Sequence, residues 1–468
     1  MAKSRQAERI RGNDEGKKDF IKLLKNINKR CPNLFKSLNG NDPRDQRYVT
    51  YSMRFLLTVL FFKCISMKAS MRGMHSCFEN TTTIVNLAIL GGMKELAKLP
   101  CINTINNFLK KLPVSFLESV RKQIIYTLIR SKILDSGRFI HRFNIIVDAS
   151  QTYGGEIPIN DRCLKRVYNR GKENEYTTYH RNVLEAKLWV VGTPFVFSIC
   201  SVFIENDPGA CENDKRGKDQ IKQDCELAAF KRLAEKLHSD FPRLPIIISG
   251  DALYISNNVF SLCNDYGWKF IIRYKEGAAS TIQEYVDVAI QEGDLVRIPD
   301  QKEYKNAGYY TDVPYHGRTL NYIQATVVDP KKKPDEMKWV TDIDLKYNVE
   351  YILGIIRLGR GRWKIENQGF NRQKHWIGIL EHLCCWEDQA LKNHYLMIQI
   401  ADIFLTLMEM EEHRQNSRES YRNPEFKPIT RTFVQRSEDL RQGLSSILIE
   451  ECDSWNEICK LVEEQSAA

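Results

Sequence analysis

The sequence predicts a multidomain α+β protein in which an α/β core stands between helical N-terminal and C-terminal regions. Apolar residues recur at helical spacing near both ends of the chain. Between these ends, short apolar strands alternate with helices, which predicts a mixed five-stranded sheet interrupted by a β-rich insertion. The predicted regions are 1–138 (helical), 139–277 (first core segment), 278–340 (β-rich insertion), 341–385 (second core segment) and 386–468 (helical).

The composition indicates a soluble protein with a basic excess. The 468 residues include 69 Lys or Arg and 59 Asp or Glu, and the net charge of +10 favours anionic partners, nucleic acid first. The 13 cysteines are scattered without a CxxC pair, which is typical of a reducing, cytoplasmic environment. No signal-peptide pattern begins the chain, and the longest apolar run, residues 55–62, is too short to cross a bilayer.

The N-terminal region is predicted to be helical. Residues 1–36 are basic, and from about Asp19 their apolar residues share one helical face, as in a DNA-contacting arm or a solvated amphipathic helix. Residues 47–135 form a set of short helices, which suits a DNA-binding domain or a plain helical bundle. Spacing alone does not separate these alternatives.

The core is predicted from a change of pattern near residue 139. Three strands come first, then a helix over Lys218–Ser239, a fourth strand, a short helix and a fifth strand. A polar, basic loop lies between the first two strands. The predicted strands are 143–148, 186–191, 195–199, 245–251 and 268–273.

The rest of the chain returns to helices after the insertion. Two strands, 295–298 and 320–328, fill the insertion, and residues 339–342 form a strand leading back to the core. A helix over 348–358 precedes a basic segment, and a long helix over 389–412 begins the C-terminal region, a possible dimerisation element.

Three acids lie on predicted strands and a predicted helix that the fold is expected to bring towards one point. Asp148 and Asp251 each end an apolar strand, and Glu366 lies on a later helix. The order of elements is that of a ribonuclease H-like fold, in which the first and fourth strands are neighbours. Three convergent carboxylates would select Mg²⁺ or Mn²⁺, and a pair of such ions supports phosphodiester chemistry.

Each of these acids also has an ordinary structural interpretation. A strand-ending aspartate often caps the next turn, and Glu366 stands among cations as in a solvated, ion-paired helix. Other acids near strand ends, Glu185, Glu205 and Asp342, leave the assignment open. The cations around Glu366 are predicted to bind DNA phosphates, and they are Arg360, Arg362, Lys364, Arg372 and Lys374.

Three segments together resemble a bacterial insertion-sequence DDE transposase. They are Val147–Ser150, Ser249–Ala252 and Gly361–Asn367, the last followed by Phe370, Asn371 and Lys374. The similarity is to the group with a Tyr-Arg-Glu-Lys signature and a β-rich insertion before the third acid, and it covers roughly residues 100–405.

The resemblance implies a catalytic and metal-binding triad and a mechanism. Asp148, Asp251 and Glu366 match the triad that binds Mg²⁺ or Mn²⁺ (two ions in the family), and Arg362 matches the signature arginine. The family cuts DNA at terminal inverted repeats and transfers the ends to target DNA, acting as a homodimer. The expected location is therefore the cytoplasm, on the nucleoid when DNA is bound.

Two positions depart from the family signature. Gly359 stands where the signature has tyrosine, and Gln373 where it has lysine, with Lys374 one residue later. A shift of one residue turns a side chain by about 100° around an α-helix, so Lys374 can substitute only if the helix is irregular or its side chain reaches round. Two other functions stay open: a non-catalytic DNA-binding protein derived from a transposase, and another ribonuclease H-like nuclease.

Overall fold

The computed structural model describes residues 2–94, 98–206, 224–329, 333–346, 348–374, 379–428, 431–450 and 455–467. The helices are α1 (Ala2–Arg30), α2 (Leu34–Ser37), α3 (Met53–Ile65), α4 (Met71–Phe78), α5 (Thr81–Leu90), α6 (Ile102–Lys111), α7 (Val114–Arg130), α8 (Glu226–Asp240), α9 (Asn257–Asp265), α10 (Ser280–Glu292), α11 (Val349–Arg360), α12 (Asn371–Lys374), α13 (Asp388–Arg422), α14 (Phe433–Ser446) and α15 (Trp455–Ala467).

Ten strands are described. They are β1 (Phe143–Gly155), β2 (Leu164–Tyr168), β3 (Tyr176–Trp189), β4 (Val196–Ile204), β5 (Ile246–Gly250), β6 (Lys269–Tyr274), β7 (Val296–Arg297), β8 (Tyr304–Tyr315), β9 (Arg318–Val327) and β10 (Asp335–Thr341). The chain divides into two compact units. Unit 1 comprises Met1–Ile133, Gly155–Asn160 and Phe370–Ala468, and unit 2 comprises Leu134–Gly154 and Asp161–Gly369.

Unit 1 is built around two helices that are buried on all sides. Every residue of α3 except Arg54 is buried, and α13 is buried continuously from Asn393 to Met408. A helix that is apolar all round requires neighbours all round, and α6 and α7 join α3 against α13. The N-terminal and C-terminal helical regions therefore share one unit, although the sequence predicted them as separate regions.

Unit 2 is built on a single mixed sheet. Its strand order is β2-β3-β1-β5-β6-β10-β9-β8-β7, and β4 pairs with β3. β1 pairs in parallel with β5, and β5 pairs in parallel with β6. The predicted adjacency of the first and fourth core strands is thus confirmed. β5 is buried along its whole length, as expected for a strand with parallel partners on both sides.

The structure departs from the predicted strands in three places. β1 does not end at Asp148 but continues to Gly155, and it is accompanied by a β3 that starts ten residues before the predicted strand. β2 occupies what was predicted as a basic loop. The predicted strand over 339–342 corresponds to β10, which pairs with both β6 and β9, so the strands of the insertion extend the core sheet. The predicted helix over Lys218–Ser239 corresponds to α8, and its residues before 224 lie outside the described residues.

Within the described ranges, no helix has the length and apolar character required to cross a membrane.

Candidate active site

The pairing of β1 with β5 brings Asp148 and Asp251 together. Ile146 is opposite Ser249 in this parallel pair, so the same register, continued by two residues, puts Asp148 opposite Asp251. Neighbouring strands lie about 4.8 Å apart, and residues in register point to the same face. The two aspartates therefore share one face of the sheet, beyond the carboxyl end of β5.

Asp148 carries a strongly perturbed carboxyl group. Burial, together with the negative charges of Glu226 and Asp251, raises its pKa to about 6, against the opposing effect of Arg362. The Arg362 guanidinium donates from Nη1 to Asp148 Oδ2 at 3.0 Å, and the Ala149 backbone N–H donates to Oδ1 at 3.0 Å. Desolvation thus outweighs the ion pair, and the carboxylate stands in a site with excess negative charge.

Asp251 also caps the turn that follows β5. Its Oδ1 accepts a hydrogen bond of 2.9 Å from the Leu253 backbone N–H, at the start of a 3₁₀ turn over Ala252–Tyr254. The structural interpretation of this residue is therefore correct, and it leaves the second carboxylate oxygen available. Asp251 can therefore cap this turn with one oxygen and present the other on the side of Asp148.

A further acid, Glu226, acts electrostatically on Asp148 and was missed by the sequence analysis. It lies in the first turn of α8, where burial and the charge of Asp251 raise its pKa, while the Tyr254 hydroxyl lowers it. That hydroxyl donates to Glu226 Oε1 at 2.5 Å. The only sequence signal was an acid at a helix start, which normally complements the helix dipole.

Glu366, the predicted third acid, is exposed and lies on a π-helix over Ile365–Phe370. In the described ranges, no three His, Cys, Asp or Glu side chains are close enough together to hold a metal ion. The structure therefore brings Asp148 and Asp251 together without placing Glu366 in a three-acid metal centre. The chemistry of the oxygen donors fits a hard divalent cation.

The segment that follows Glu366 is locally irregular, because a π-helix spans Ile365–Phe370. It separates Glu366 from α12, which contains Gln373 and Lys374. A π-helix closes its hydrogen bonds one residue later than an α-helix, and such insertions are frequent at functional sites. Lys374 belongs to unit 1, where its ammonium pairs with Glu381 at 3.7 Å.

The predicted phosphate-binding cations fall into different environments. In unit 2, Arg362 pairs with Asp148, the Arg360 guanidinium lies 6.0 Å from the Tyr304 ring, and the Lys364 ammonium lies 4.5 Å from the Trp363 ring. Arg372 is in unit 1 and is only 4% exposed. It pairs there with Asp402 and Glu409, so its assignment as a phosphate ligand is corrected to a buried structural role.

The missing signature tyrosine has a packing explanation. A Cβ on Gly359 would lie 2.4 Å from Trp339 Nε1, and one on Gly361 would lie 2.1 Å from Trp189 Cζ3. Two tryptophans thus press against the backbone at the end of α11, and neither position accommodates a side chain.

We expect Gly359→Tyr to fail to restore the signature and instead to destabilise the protein. Forcing atoms into this contact costs about 1–3 kcal/mol or more, and the loss of unfolding free energy can be measured by urea denaturation. The control is Ser239→Ala on α8, which leaves this contact untouched. A Gly359→Tyr protein with unchanged stability would show that the Trp339 contact yields easily.

The raised pKa of Asp148 predicts a pH-dependent stability. Because the folded-state pKa of about 6 lies above the ordinary aspartate value of 3.8, the folded protein binds this proton more tightly than the unfolded chain does. The stabilisation is complete below the unfolded-state pKa and is lost as the pH rises through the folded-state value, a change on the order of 3 kcal/mol.

Asp148→Asn is expected to remove this component. The measurement is the difference in unfolding free energy between variant and wild type, in chelator, at about pH 4.5 and about pH 7.5. The variant should gain relative stability at the higher pH. A difference that does not change with pH would contradict the perturbed carboxyl group.

No family model and no curated protein matches the sequence. The chain is similar to a piggyBac transposase, solved by cryo-EM as a synaptic complex with hairpin DNA. The identity is 10%, the TM-score is 0.41, and the similarity covers 96% of this chain and 81% of that chain. A likeness at this level leaves function to be argued from the chain's own residues.

Proposed function

We propose that this chain is a DDE-type DNA transposase that cleaves phosphodiester bonds at transposon ends and transfers the ends to target DNA. The observation that carries the proposal is the β1–β5 register, which aligns Asp148 with Asp251. Sequence segments around these aspartates and around Glu366 resemble the insertion-sequence transposases and predict the same two residues. The ribonuclease H-like character of the core and the homodimer form part of this proposal.

Asp148 and Asp251 are the residues that would hold Mg²⁺ or Mn²⁺, with Glu366 as the proposed third acid. Their carboxylate oxygens are the ligands that such cations prefer. Burial first, and then the negative charges of Glu226 and Asp251, raise the pKa of Asp148, and the nearby Arg362 does not offset them. A pair of such ions held there would supply activation of a water or a 3′-hydroxyl and charge stabilisation at the leaving oxygen.

Arg362 has a second task in this proposal. Its guanidinium lies beside Asp148, so a phosphate presented to the aspartates meets a cation with planar, bidentate donor geometry. Arg360 and Lys364 lie on the same segment and add positive charge for the DNA backbone. Binding governed by such contacts weakens steeply as the salt concentration rises.

The direct test uses duplexes that cover the DNA on each side of this gene. Incubation with Mg²⁺ or Mn²⁺ should nick one strand at a fixed position, and chelation should abolish nicking. Asp148→Ala cutting as well as wild type would refute the site. Metal-independent binding without cleavage would favour the non-catalytic DNA-binding protein, and preferential cutting of junctions or RNA–DNA hybrids would favour another nuclease of this fold class.

A further inference from the structure

One edge of the unit 2 sheet is a two-stranded ribbon formed by β2 and the first part of β3. Its register runs from Leu164 opposite His180 to Tyr168 opposite Tyr176, and residues 169–175 form the tip between the strands. β2 is the first strand of the sheet order, so no described strand pairs with its outer edge. The segment predicted as a polar, basic loop is therefore a paired ribbon.

The tip of the ribbon is held by hydrogen bonds of its own. The Lys172 N–H donates to the Asn169 carbonyl at 2.9 Å, and the Gly171 N–H donates to Glu175 Oε2 at 2.7 Å. Asn169 and Gly171 have φ of 52° and 76°, the left-handed conformation that asparagine and glycine adopt most readily. The tip therefore has a defined shape, from which the side chains of Arg170 and Lys172 extend into solvent.

An aromatic pair lies where the strands meet the tip. The rings of Tyr168 and Tyr176 stack across the two strands, with their centroids 4.8 Å apart and their planes at 9°. Arg166 lies on the same face of β2, and its Nη1 donates to the Tyr168 hydroxyl at 3.3 Å. Tyr176 remains 50% exposed. Tyrosine and arginine together at an exposed position are typical of binding surfaces.

The cations of the ribbon carry charge that is not neutralised locally. In the described ranges, Arg166, Arg170 and Lys172 form no ion pair with an acid. Glu175 is engaged by the Gly171 N–H instead. The ribbon thus combines uncompensated positive charge with exposed aromatic rings, a combination that is characteristic of nucleic-acid-binding surfaces.

A cationic edge strand also has an ordinary explanation. Lysine and arginine on an edge discourage pairing with another sheet, and this accounts for Lys165 and Arg166 on β2. It does not account for Arg170 and Lys172, which lie beyond the strand on a tip whose backbone is already hydrogen-bonded to itself.

The ribbon is joined to the strand that carries Asp148. His180 Nδ1 lies 2.8 Å from Gln151 Oε1 of β1. Strands rise about 3.4 Å per residue and lie about 5 Å apart, so the path from Asp148 through Gln151 and His180 puts Tyr176 within roughly 30 Å of Asp148. One turn of duplex DNA rises about 34 Å. DNA bound at Asp148 would therefore be within reach of the ribbon in less than one turn.

We propose that the β2–β3 ribbon binds duplex DNA beside the cleaved bond, lying in the major groove with Arg170 and Lys172 against the phosphates that border it. The major groove is about 12 Å wide and admits a two-stranded β-ribbon. This inference rests on the proposed function, because the DNA is the substrate of that site. Its main test requires no cleavage.

The test measures binding of the full chain to a duplex from the DNA beside this gene, in chelator, by fluorescence anisotropy over a range of salt concentrations. One variant combines Arg170→Gln with Lys172→Gln, and a second is Tyr176→Ala. The single strand of the same sequence is a second probe. Thermal unfolding and light scattering show whether each variant is folded and monodisperse.

Each variant has a matched control in unit 2. Lys275→Gln combined with Lys302→Gln removes the same charge from two exposed lysines that lie outside helices and strands. Tyr285→Ala removes a ring that is 48% exposed, on α10. Both controls should retain the wild-type dependence on salt.

The double variant of the tip is expected to bind the duplex roughly 10- to 100-fold more weakly at about 0.1 M salt. The slope of log affinity against log salt concentration should become smaller by about 2, because each phosphate contact contributes about 0.9. Tyr176→Ala should weaken binding several-fold and leave the slope unchanged, since its ring carries no charge. Hydroxyl-radical footprints of the double variant should lose protection within one turn of the nick.

The outcomes separate this inference from the proposed function. Wild-type affinity and slope in the double variant would overturn the ribbon's role and leave the Asp148–Asp251 site intact, and so would a variant that aggregates but binds DNA normally. Tighter binding of the single strand, lost in Tyr176→Ala, would overturn the major-groove assignment. Ribbon-dependent binding together with cleavage that survives Asp148→Ala would overturn the proposed site alone.

Discussion

Asp251→Ala is expected to reduce metal-dependent DNA cleavage by roughly 10³-fold, because a catalytic cation contributes several kcal/mol of transition-state stabilisation and each 1.4 kcal/mol is about tenfold in rate. The residue is placed opposite Asp148 by the β1–β5 register. The measurement is the single-turnover rate of strand nicking on the DNA that flanks the gene, with saturating Mg²⁺. DNA binding in chelator should be retained.

The matched control addresses the second role of this residue. Alanine also removes the hydrogen bond that Asp251 accepts from the Leu253 N–H, and losing such a cap costs about 1 kcal/mol of stability. Asp251→Asn keeps a capping oxygen and loses only the charge. Both variants should lose cleavage, whereas the asparagine variant should stay closer to wild-type stability. Rapid nicking by Asp251→Asn would exclude the carboxylate as a cation ligand.

Arg372→Ala is expected to lower the unfolding free energy by about 3–5 kcal/mol, the usual effect of removing one partner from a buried ion pair. The guanidinium is 4% exposed in unit 1. It bonds Asp402 and Glu409 of α13, and it lies 4.5 Å from the ring of Phe433 on α14. The substitution would leave two acids without their cation, so urea denaturation should show a large decrease in the midpoint.

Arg357→Ala is the control for this prediction. Arg357 is exposed on α11, and its contact with Glu350 spans 3.7 Å at the surface. Such exposed pairs contribute about 0–1 kcal/mol, so this variant should unfold almost as wild type does. An Arg372→Ala protein of normal stability that binds DNA poorly would return Arg372 to the phosphate ligands predicted from the sequence.

The two aspartates and Arg372 show what the sequence could and could not predict. Asp148 and Asp251 were identified because each follows a run of apolar residues, and parallel strands place such positions at one edge. Arg372 was misassigned because a basic residue in a basic segment gives no sign of burial. Its partners, Asp402 and Glu409, are about thirty residues away on α13, a distance over which side-chain periodicity carries no information.

The sequence did not predict where β1 ends, and it did not indicate Glu226, for related reasons. β1 passes Asp148 because its second half pairs beside β3, where Thr152 Oγ1 donates to the Arg181 carbonyl at 3.1 Å. Polar side chains on a half-exposed strand look like a loop in sequence. Glu226 was missed because it acts on Asp148, which is distant along the chain and close only in the fold.

Oxidative cleavage directed by bound Fe²⁺ tests directly whether Asp148 and Asp251 together form a divalent cation site. Fe²⁺ substituted for Mg²⁺ is oxidised by added hydrogen peroxide to Fe³⁺ and releases hydroxyl radicals that cut the backbone near the ion, and ascorbate reduces the Fe³⁺ back to Fe²⁺. If the two aspartates bind the cation, we expect cuts close to residues 148 and 251. These cuts should be suppressed by excess Mg²⁺ and absent in Asp148→Asn. Cuts confined to other parts of the chain, or cuts at these positions that persist in Asp148→Asn, would contradict it.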